Sequence, residues 1–105
     1  MHAELADKRD ELIALCHRFG VVRLDVFGSA ARGDDFDPRR SDTDFLVTFA
    51  PAVHDDLAVF LDFKLALEAL LGRPVDLVER PAVEVSRNYI RRRRILAEAE
   101  PIYAA

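Results

Sequence analysis

Three aspartates lie where strands of this chain are predicted to begin. Asp42 and Asp44 stand two residues apart at the start of an apolar run, and Asp76 interrupts a second apolar run. Because side chains along a strand alternate between its two faces, Asp42 and Asp44 project from the same face. Neighbouring carboxylates repel each other unless a cation lies between them, and hard oxygen ligands favour Mg²⁺ or Mn²⁺. The three aspartates therefore predict a divalent metal site.

A glycine–serine turn precedes these aspartates in the chain. Gly28 and Ser29 follow the apolar segment 24–27 and open a predicted short helix that ends at Arg32. Glycine lets a phosphate approach the backbone closely, and the free N–H groups at a helix start attract anions. Arg32 has two interpretations of equal weight: it binds a phosphate, or it pairs with an aspartate of the following loop. The turn and the aspartates together indicate phosphoryl or nucleotidyl transfer.

A single aspartate at a strand start is an ordinary turn residue, and this is the competing interpretation of each one. Asp44, however, is followed directly by an apolar run that must pack, and aspartate is disfavoured inside strands. Asp76 could pair with an arginine or face water on an edge strand. Three such intrusions into apolar strands are more simply explained by one shared cluster.

The elements that position these residues follow from hydrophobic spacing and from glycine and proline signals. They predict an α/β (α+β) fold in which helices cover a small mixed sheet of three or four strands. The two later strands are separated by a full helix, so they can pair in parallel, whereas the strand order stays open. The predicted helices are 3–19, 29–32, 55–71 and 84–98, the predicted strands are 21–27, 42–49 and 74–79, and 101–103 is an extended tail.

Composition limits the kind of protein that this chain forms. The 105 residues, half of them hydrophobic and 32% charged, predict one domain over residues 1–105 with one core. A formal net charge of −4 argues against binding of long nucleic acid, and no apolar run approaches the roughly 20 residues that span a membrane. Cys16 is the one cysteine, which excludes an internal disulfide and favours the cytoplasm. It is interpreted as a core residue rather than a reactive thiol.

Four consecutive arginines, 91–94, lie within the last predicted helix. Consecutive helical residues point in different directions, so the run does not by itself form a phosphate-binding stripe. The favoured interpretation is a solvated helix whose arginine stems cover apolar surface. The alternative is that some of these arginines dock a partner or reach a triphosphate.

The residues that carry this chemistry resemble the minimal nucleotidyltransferase (MNT) family of the DNA polymerase β-like nucleotidyltransferase superfamily. The match consists of GSAARG at 28–33, SDTDFLV at 41–47 and VDLV at 75–78, in family order. It extends to the first helix and to the C-terminal tail, so it spans nearly the whole chain. The resemblance implies the polymerase β-like fold.

The resemblance also implies a role for each matching residue. Asp42 and Asp44 would bind both of two Mg²⁺ ions, and Asp76 would bind one of them and activate the attacking hydroxyl. These three residues are the expected catalytic residues. The expected nucleotide-binding residues are Gly28, Ser29, Arg32 and Ser41.

Proteins of the MNT family are commonly encoded beside a HEPN-domain ribonuclease and act as its antitoxin. The described activity is transfer of AMP from ATP to a tyrosine of that toxin. The resemblance therefore implies ATP as substrate, Mg²⁺ as cofactor and a HEPN-family toxin as partner in a hetero-oligomeric complex. Two alternatives stay open: an antitoxin that neutralises its toxin by binding alone, and a nucleotidyltransferase that modifies a small molecule or an RNA end.

Overall fold

The computed structural model of the protein describes residues 3–32 and 42–105. No helix in these two ranges is long and apolar enough to cross a lipid bilayer. The predicted loop 33–41, with Ser41, lies outside the described residues. The elements are helices α1 (Ala3–Asp7) and α2 (Arg9–Phe19), strand β1 (Val21–Phe27), helix α3 (Ser29–Arg32), strand β2 (Thr43–Phe49), helix α4 (Leu57–Leu71), strand β3 (Val75–Glu79), helices α5 (Arg80–Glu84) and α6 (Tyr89–Glu98), and strand β4 (Glu100–Ala104).

The four strands form one mixed sheet in the order β3-β2-β1-β4. Strands β2 and β3, which α4 connects, pair in parallel, while β1 pairs antiparallel with both β2 and β4. This arrangement confirms the predicted fold class and the predicted parallel pair. The C-terminal tail, predicted only as extended, is the strand that covers the outer edge of β1.

One face of the sheet packs against α1, α2 and α4, and we call it the α2/α4 face. Alternate strand residues point to this face and meet apolar residues of the three helices. Aromatic rings meet at its centre, with Phe63 of α4 lying 5.7 Å from Phe19 and 5.9 Å from Phe49 between ring centroids. The fully buried residues of this core include Leu5, Leu12, Cys16, Leu24, Val26, Phe45, Val47, Phe63 and Leu67.

The opposite face, which we call the α5/α6 face, is covered by the two short C-terminal helices. Its buried apolar cluster consists of Phe27 and Leu46 from the sheet, Val83 from α5 and Ile95 from α6. The remaining strand positions of this face include aspartates. The predicted site therefore lies on the face with the smaller apolar core.

The predicted helix 84–98 ends where α6 ends, at Glu98, but it is wrong at its start. Helix α5 begins earlier, at Arg80, and ends at Glu84, and α6 begins only at Tyr89. Asn88 explains the second start, because its side-chain oxygen accepts a hydrogen bond from the backbone N–H of Arg91 at 3.2 Å. Serine and asparagine favour caps and turns over helix interiors, so the Ser86–Asn88 segment separates two helices.

The predicted helix 3–19 is likewise divided, at Lys8. The Lys8 ammonium donates a hydrogen bond to the carbonyl oxygen of Leu70, at the end of α4, at 3.1 Å. This bond joins the break between α1 and α2 to the neighbouring helix. The break is therefore a point of tertiary contact, which the spacing of apolar residues alone does not show.

Candidate active site

The Gly28 turn lies directly against the carboxylate of Asp44. Phe27, the last residue of β1, is the register partner of Asp44 on β2, and Gly28 follows with φ of 71°. A Cβ atom added to Gly28 would lie 2.6 Å from Oδ2 of Asp44. Both the positive φ and this contact require glycine. The sequence-predicted phosphate turn and a sequence-predicted metal ligand are thus in direct contact.

Asp76 lies beside Asp44 in the sheet. The two are register partners in the parallel pair of β2 and β3, so their side chains project from the same face. The Asp44 side chain is partly buried, whereas Asp76, on an edge strand of the described sheet, is exposed. Asp42 is also exposed and stands two residues before Asp44, just ahead of β2. All three predicted carboxylates therefore belong to the same end of neighbouring strands.

The chemistry of these donors fits a hard divalent cation. Carboxylate oxygens are the ligands that Mg²⁺ prefers, and Mg²⁺ is usually held by one or two carboxylates together with waters and substrate phosphates. Within the described ranges, no three His, Cys, Asp or Glu side chains are gathered closely enough to hold a metal ion. The pair Asp44 and Asp76 fits the two-carboxylate arrangement, and the three-aspartate metal site stays a prediction.

A cavity of about 190 Å³ opens beside this contact. On one side it is lined by Phe27, Gly28 and Asp44, and on the other by residues of α6. The α6 residues are Arg91, Arg94, Ile95 and Glu98. The arginine run, for which the sequence favoured a solvated role, thus contributes two side chains to the wall of the candidate active site.

Two other predicted nucleotide-binding residues belong to α3. The helix covers Ser29–Arg32 as predicted, and its Ala30 and Ala31 are buried in the core of the α2/α4 face. The amide N–H of Ala31 donates to the Gly28 carbonyl at 3.1 Å, which closes the turn. The side chains of Ser29 and Arg32 lie outside the described part of the structure, so their binding roles stay predictions.

Asp25 is a buried charge that the sequence reasoning did not select. Its side chain is 0% exposed on the α5/α6 face, next along β1 from Phe27 on that face. Arg80, the first residue of α5, donates from Nη1 to Oδ2 of Asp25 at 2.5 Å, and Nε of Arg23 donates to the same carboxylate at 3.1 Å. A buried carboxylate is costly unless it is paired. The pair attaches the start of α5 to the central part of the sheet.

The sequence did contain a signal for Asp25, since it is an acidic residue within a mostly apolar strand. The same signal selected Asp44, but Asp25 lacked a second acid nearby in the sequence. Its partner Arg80 is 55 positions away in the chain. Such a pairing becomes visible only when β3 and α5 are placed in space.

Cys16 is confirmed as a core residue. Its side chain is fully buried in α2, and this burial raises the pKa of the Cys16 thiol from 9.0 to about 12. The thiol is therefore protonated near neutral pH and does not act as a nucleophile.

A larger cavity, of about 580 Å³, lies at the opposite end of β2. Its walls include Phe49, His54, Glu79 and Val85, and none of its described lining residues belongs to the predicted site. Among those described lining residues there is neither a glycine turn nor a strand-start carboxylate. Size alone therefore does not identify the active site of this fold, and the smaller cavity beside Gly28 carries the matching chemistry.

Comparison with known proteins identifies the family of this chain. Residues 12–98 match the family model described as the nucleotidyltransferase domain, a range that contains Gly28, the three aspartates and the arginine run. The chain is 41% identical over 70 residues to the protein adenylyltransferase MntA of Thermococcus cleftensis, which corresponds to 67% of each chain.

Solved structures share the fold. A minimal nucleotidyltransferase superposes with a TM-score of 0.73 at 39% identity and covers 96% of both chains. A toxin–antitoxin complex with AMP-PNP gives a TM-score of 0.66 at 19% identity, covering 92% of this chain and 73% of that one. A complex of tri-AMPylated Shewanella oneidensis HEPN toxin with MNT antitoxin gives 0.62 at 16% identity, covering 95% of this chain and 72% of that one. The two low-identity matches show the fold alone. From the family model and the relatives of higher identity, the chain belongs to the nucleotidyltransferase family, as a minimal nucleotidyltransferase.

Proposed function

We propose that this protein is an antitoxin that transfers AMP from ATP to a tyrosine hydroxyl of a cognate HEPN-family toxin. The observation that carries the proposal is the contact between the Gly28 turn and the Asp44 carboxylate, with Asp76 in register beside it. The relative from Thermococcus cleftensis is named a protein adenylyltransferase, which supports a protein acceptor. In a solved complex whose MNT antitoxin shares this fold, the partner is a tri-AMPylated HEPN toxin, which supports a HEPN-family partner here.

In the proposed reaction, the backbone of the Gly28 turn faces the triphosphate of ATP, together with Ser29, Arg32 and Ser41. Asp42 and Asp44 would hold two Mg²⁺ ions, and Asp76 would hold one of them. When bound, these ions neutralise charge on the polyphosphate and make the acceptor hydroxyl easier to deprotonate. The contribution of the chain is position and electrostatics rather than a covalent intermediate.

The group transfer is an in-line displacement at the α-phosphorus. The tyrosine oxygen forms a bond to that phosphorus while the bond to the oxygen bridging the α- and β-phosphates breaks. Pyrophosphate leaves, and the hydroxyl proton passes to the carboxylate of Asp76. Exposure of Asp76 on an edge strand supports this role, because an acceptor carried by another protein must reach it from outside.

Two further observations support a protein acceptor and a cytoplasmic location. Asp42 and Asp76 are both exposed, so the attacking group can be supplied by a folded partner. We place the reaction in the reducing cytoplasm, where the free thiol of the buried Cys16 stays reduced.

The test is to incubate the toxin encoded by the neighbouring gene with about one tenth of an equivalent of this protein, ATP and Mg²⁺. We expect the intact mass of the toxin to rise by one or more AMP units and fragmentation to locate them on tyrosine. The increment should be absent with the Asp42→Asn/Asp44→Asn variant and after chelation of the metal. An unchanged mass, with inhibition of the toxin only at stoichiometric protein and without ATP, would refute transfer and establish neutralisation by binding alone.

A further inference from the structure

We propose that Arg91 and Arg94 of α6 bind the polyphosphate of the nucleotide at the Gly28 turn. The inference rests on the proposed function, since it takes ATP as the ligand of that turn. It assigns two cationic residues of α6 to a site whose predicted residues otherwise come from the Gly28 turn, from α3, from the start of β2 with the residues just before it, and from β3. The carrying observation is the cavity of about 190 Å³ that both arginines line together with Gly28 and Asp44.

The geometry of α6 selects these two arginines from the run of four. Arg91, Arg94, Ile95 and Glu98 recur at the three- and four-residue spacing of one helix face, and all four line the cavity. Ile95 is buried against Phe27 and Leu46 of the sheet, which fixes the rotation of the helix about its axis. The cavity-facing position of the two arginines is therefore set by core packing.

The other two arginines have different surroundings. Arg92 donates from Nη1 to the carbonyl oxygen of Ser86 at 3.0 Å, which holds it against the segment between α5 and α6. Arg93 is exposed and is not among the residues that line the cavity. Arg91 also lines a second cavity, of about 110 Å³, together with Arg92. It therefore lies between this second cavity and the one beside Gly28. Arg93 is thus a matched control of the same residue type on the same helix.

The charges of the cavity are arranged for an anion once a cation is present. Its lining contains two carboxylates, Asp44 and Glu98, and the two arginines. Because Asp44 is a predicted ligand of Mg²⁺, cation binding there leaves the arginines facing the space that a phosphate chain would enter. Guanidinium groups bind phosphate oxygens in pairs of parallel hydrogen bonds.

Arg94 is available for such a ligand. Its Nε lies 3.4 Å from Oε1 of Glu98, one helical turn away, and its side chain is 71% exposed. The Glu98 side chain is 24% exposed, so the pair is open to solvent mainly on the Arg94 side. Solvent-screened ion pairs contribute little, and we expect a polyphosphate with several charges to displace the carboxylate. The cavity volume is below the roughly 300–1,000 Å³ typical of pockets for whole drug-sized ligands, which suits the phosphate chain better than a complete nucleotide.

The test is calorimetric titration of inorganic tripolyphosphate and of ATP, each with Mg²⁺, into the protein without any toxin. We expect Arg91→Ala and Arg94→Ala each to weaken binding of both ligands about tenfold, while Arg93→Ala changes it less than about twofold. Arg94→Lys should fall between, because a lysine keeps the charge and loses the paired hydrogen bonds. The difference between wild type and Arg94→Ala should shrink as ionic strength rises.

The Glu98→Gln variant should strengthen polyphosphate binding, whereas the arginine variants weaken it. It removes a negative charge from the cavity and releases Arg94, so tripolyphosphate should bind about threefold more tightly. Circular dichroism should show the same helix content for all these surface variants.

Three results would overturn the inference. Binding by the Arg91→Ala/Arg94→Ala variant equal to that of wild type would overturn it, as would an equal loss from Arg93→Ala. Unchanged nucleotide affinity with weaker capture of the toxin would assign the arginines to partner docking. Because binding is measured without an acceptor, a wild-type protein that modifies its toxin while the arginine variants bind ATP normally would refute only this inference. Conversely, lost binding in the variants alongside an unmodified toxin would refute only the proposed transfer.

Discussion

The two faces of the sheet use the same strands for different purposes. On the α2/α4 face, residues of all four strands meet three helices in a continuous apolar core with aromatic rings at its centre. On the α5/α6 face, the four buried apolar residues of the described cluster share the surface with a partly buried ion pair, a cavity and the predicted catalytic aspartates. One face therefore supplies most of the apolar burial that stabilises the fold, and the other can carry polar groups that would destabilise a core.

Strand β2 shows how close these two purposes lie. Phe45 and Val47 enter the core of the α2/α4 face, whereas Asp44 and Leu46 point to the α5/α6 face. Alternation of side chains puts adjacent residues on opposite sides of the sheet. Stability and catalysis should therefore be separable by substitutions only a few residues apart.

The largest expected effect is on the α5/α6 face. Asp44→Asn should lower AMP transfer by about a thousandfold, because the neutral amide cannot hold the cations that stabilise the developing charge. The free energy of unfolding should change by less than about 1 kcal/mol, since the side chain is not part of the apolar core. Transfer is measured by intact mass and stability by urea unfolding. Asp62→Asn, which alters an exposed aspartate of α4, should leave both unchanged. Normal transfer by Asp44→Asn would abolish the distinction between the faces.

The next effect belongs to the α2/α4 face. Phe63→Ala removes a fully buried ring that packs against Phe19 and Phe49, and it should lower the free energy of unfolding by about 3–4 kcal/mol. At a temperature where the variant is folded, its transfer rate should stay within about twofold of wild type. Leu65→Ala, at an exposed position of the same helix, serves as the control and should cost less than about 0.5 kcal/mol. A large loss of rate in folded Phe63→Ala would show that the faces are coupled.

The smallest effect is expected at the ion pair between Asp25 and Arg80, which is structural but lies on the face of the predicted site. Asp25→Asn should destabilise the protein by about 2 kcal/mol, because it leaves the Arg80 guanidinium without its charged partner. The cost is below that of a fully buried pair, since the side chains of Arg80 and Arg23 are 21% and 41% exposed. Because Arg80 attaches α5 to the sheet, transfer should also fall, by about tenfold. Arg23→Ala should change stability by less than 1 kcal/mol or so. An Asp25→Asn variant with unchanged stability and unchanged transfer would show that the pair does not hold α5 on the sheet.

Local patterns in the sequence were sufficient for the parts of the fold that depend on neighbouring residues. Runs of apolar and β-branched residues predict strands at 21–27, 42–49 and 74–79, and the observed strands are Val21–Phe27, Thr43–Phe49 and Val75–Glu79. Helix α4 ends at Leu71, before Gly72, as predicted. The shared face of Asp42 and Asp44 follows from the two-residue period of a strand only as a prediction, since Asp42 lies just ahead of β2. These features need no knowledge of what packs against them.

The remaining features depend on residues that are far apart in the chain. The face of α6 that turns toward Gly28 is selected by Ile95 packing on Phe27 and Leu46, and a run of four arginines contains no information about that choice. The pairing of Asp25 with Arg80 and the pairing of the C-terminal tail with β1 likewise join residues far apart in the chain, so local patterns do not predict them.

The register of the parallel pair β2 and β3 makes the proposed site depend on complete folding of the chain. Asp44 and Asp76 become neighbours only when β3 has closed against β2 across the whole of α4, a long-range event that is slow relative to local helix formation. A slip of this pairing by one residue would turn Asp76 to the opposite face of the sheet. Such a chain would keep its helices and much of its compactness but would lose the side-by-side placement of the two aspartates. If the proposed site is correct, nucleotidyl transfer therefore requires the completely assembled chain, and a folding intermediate without a paired β3 should be inactive.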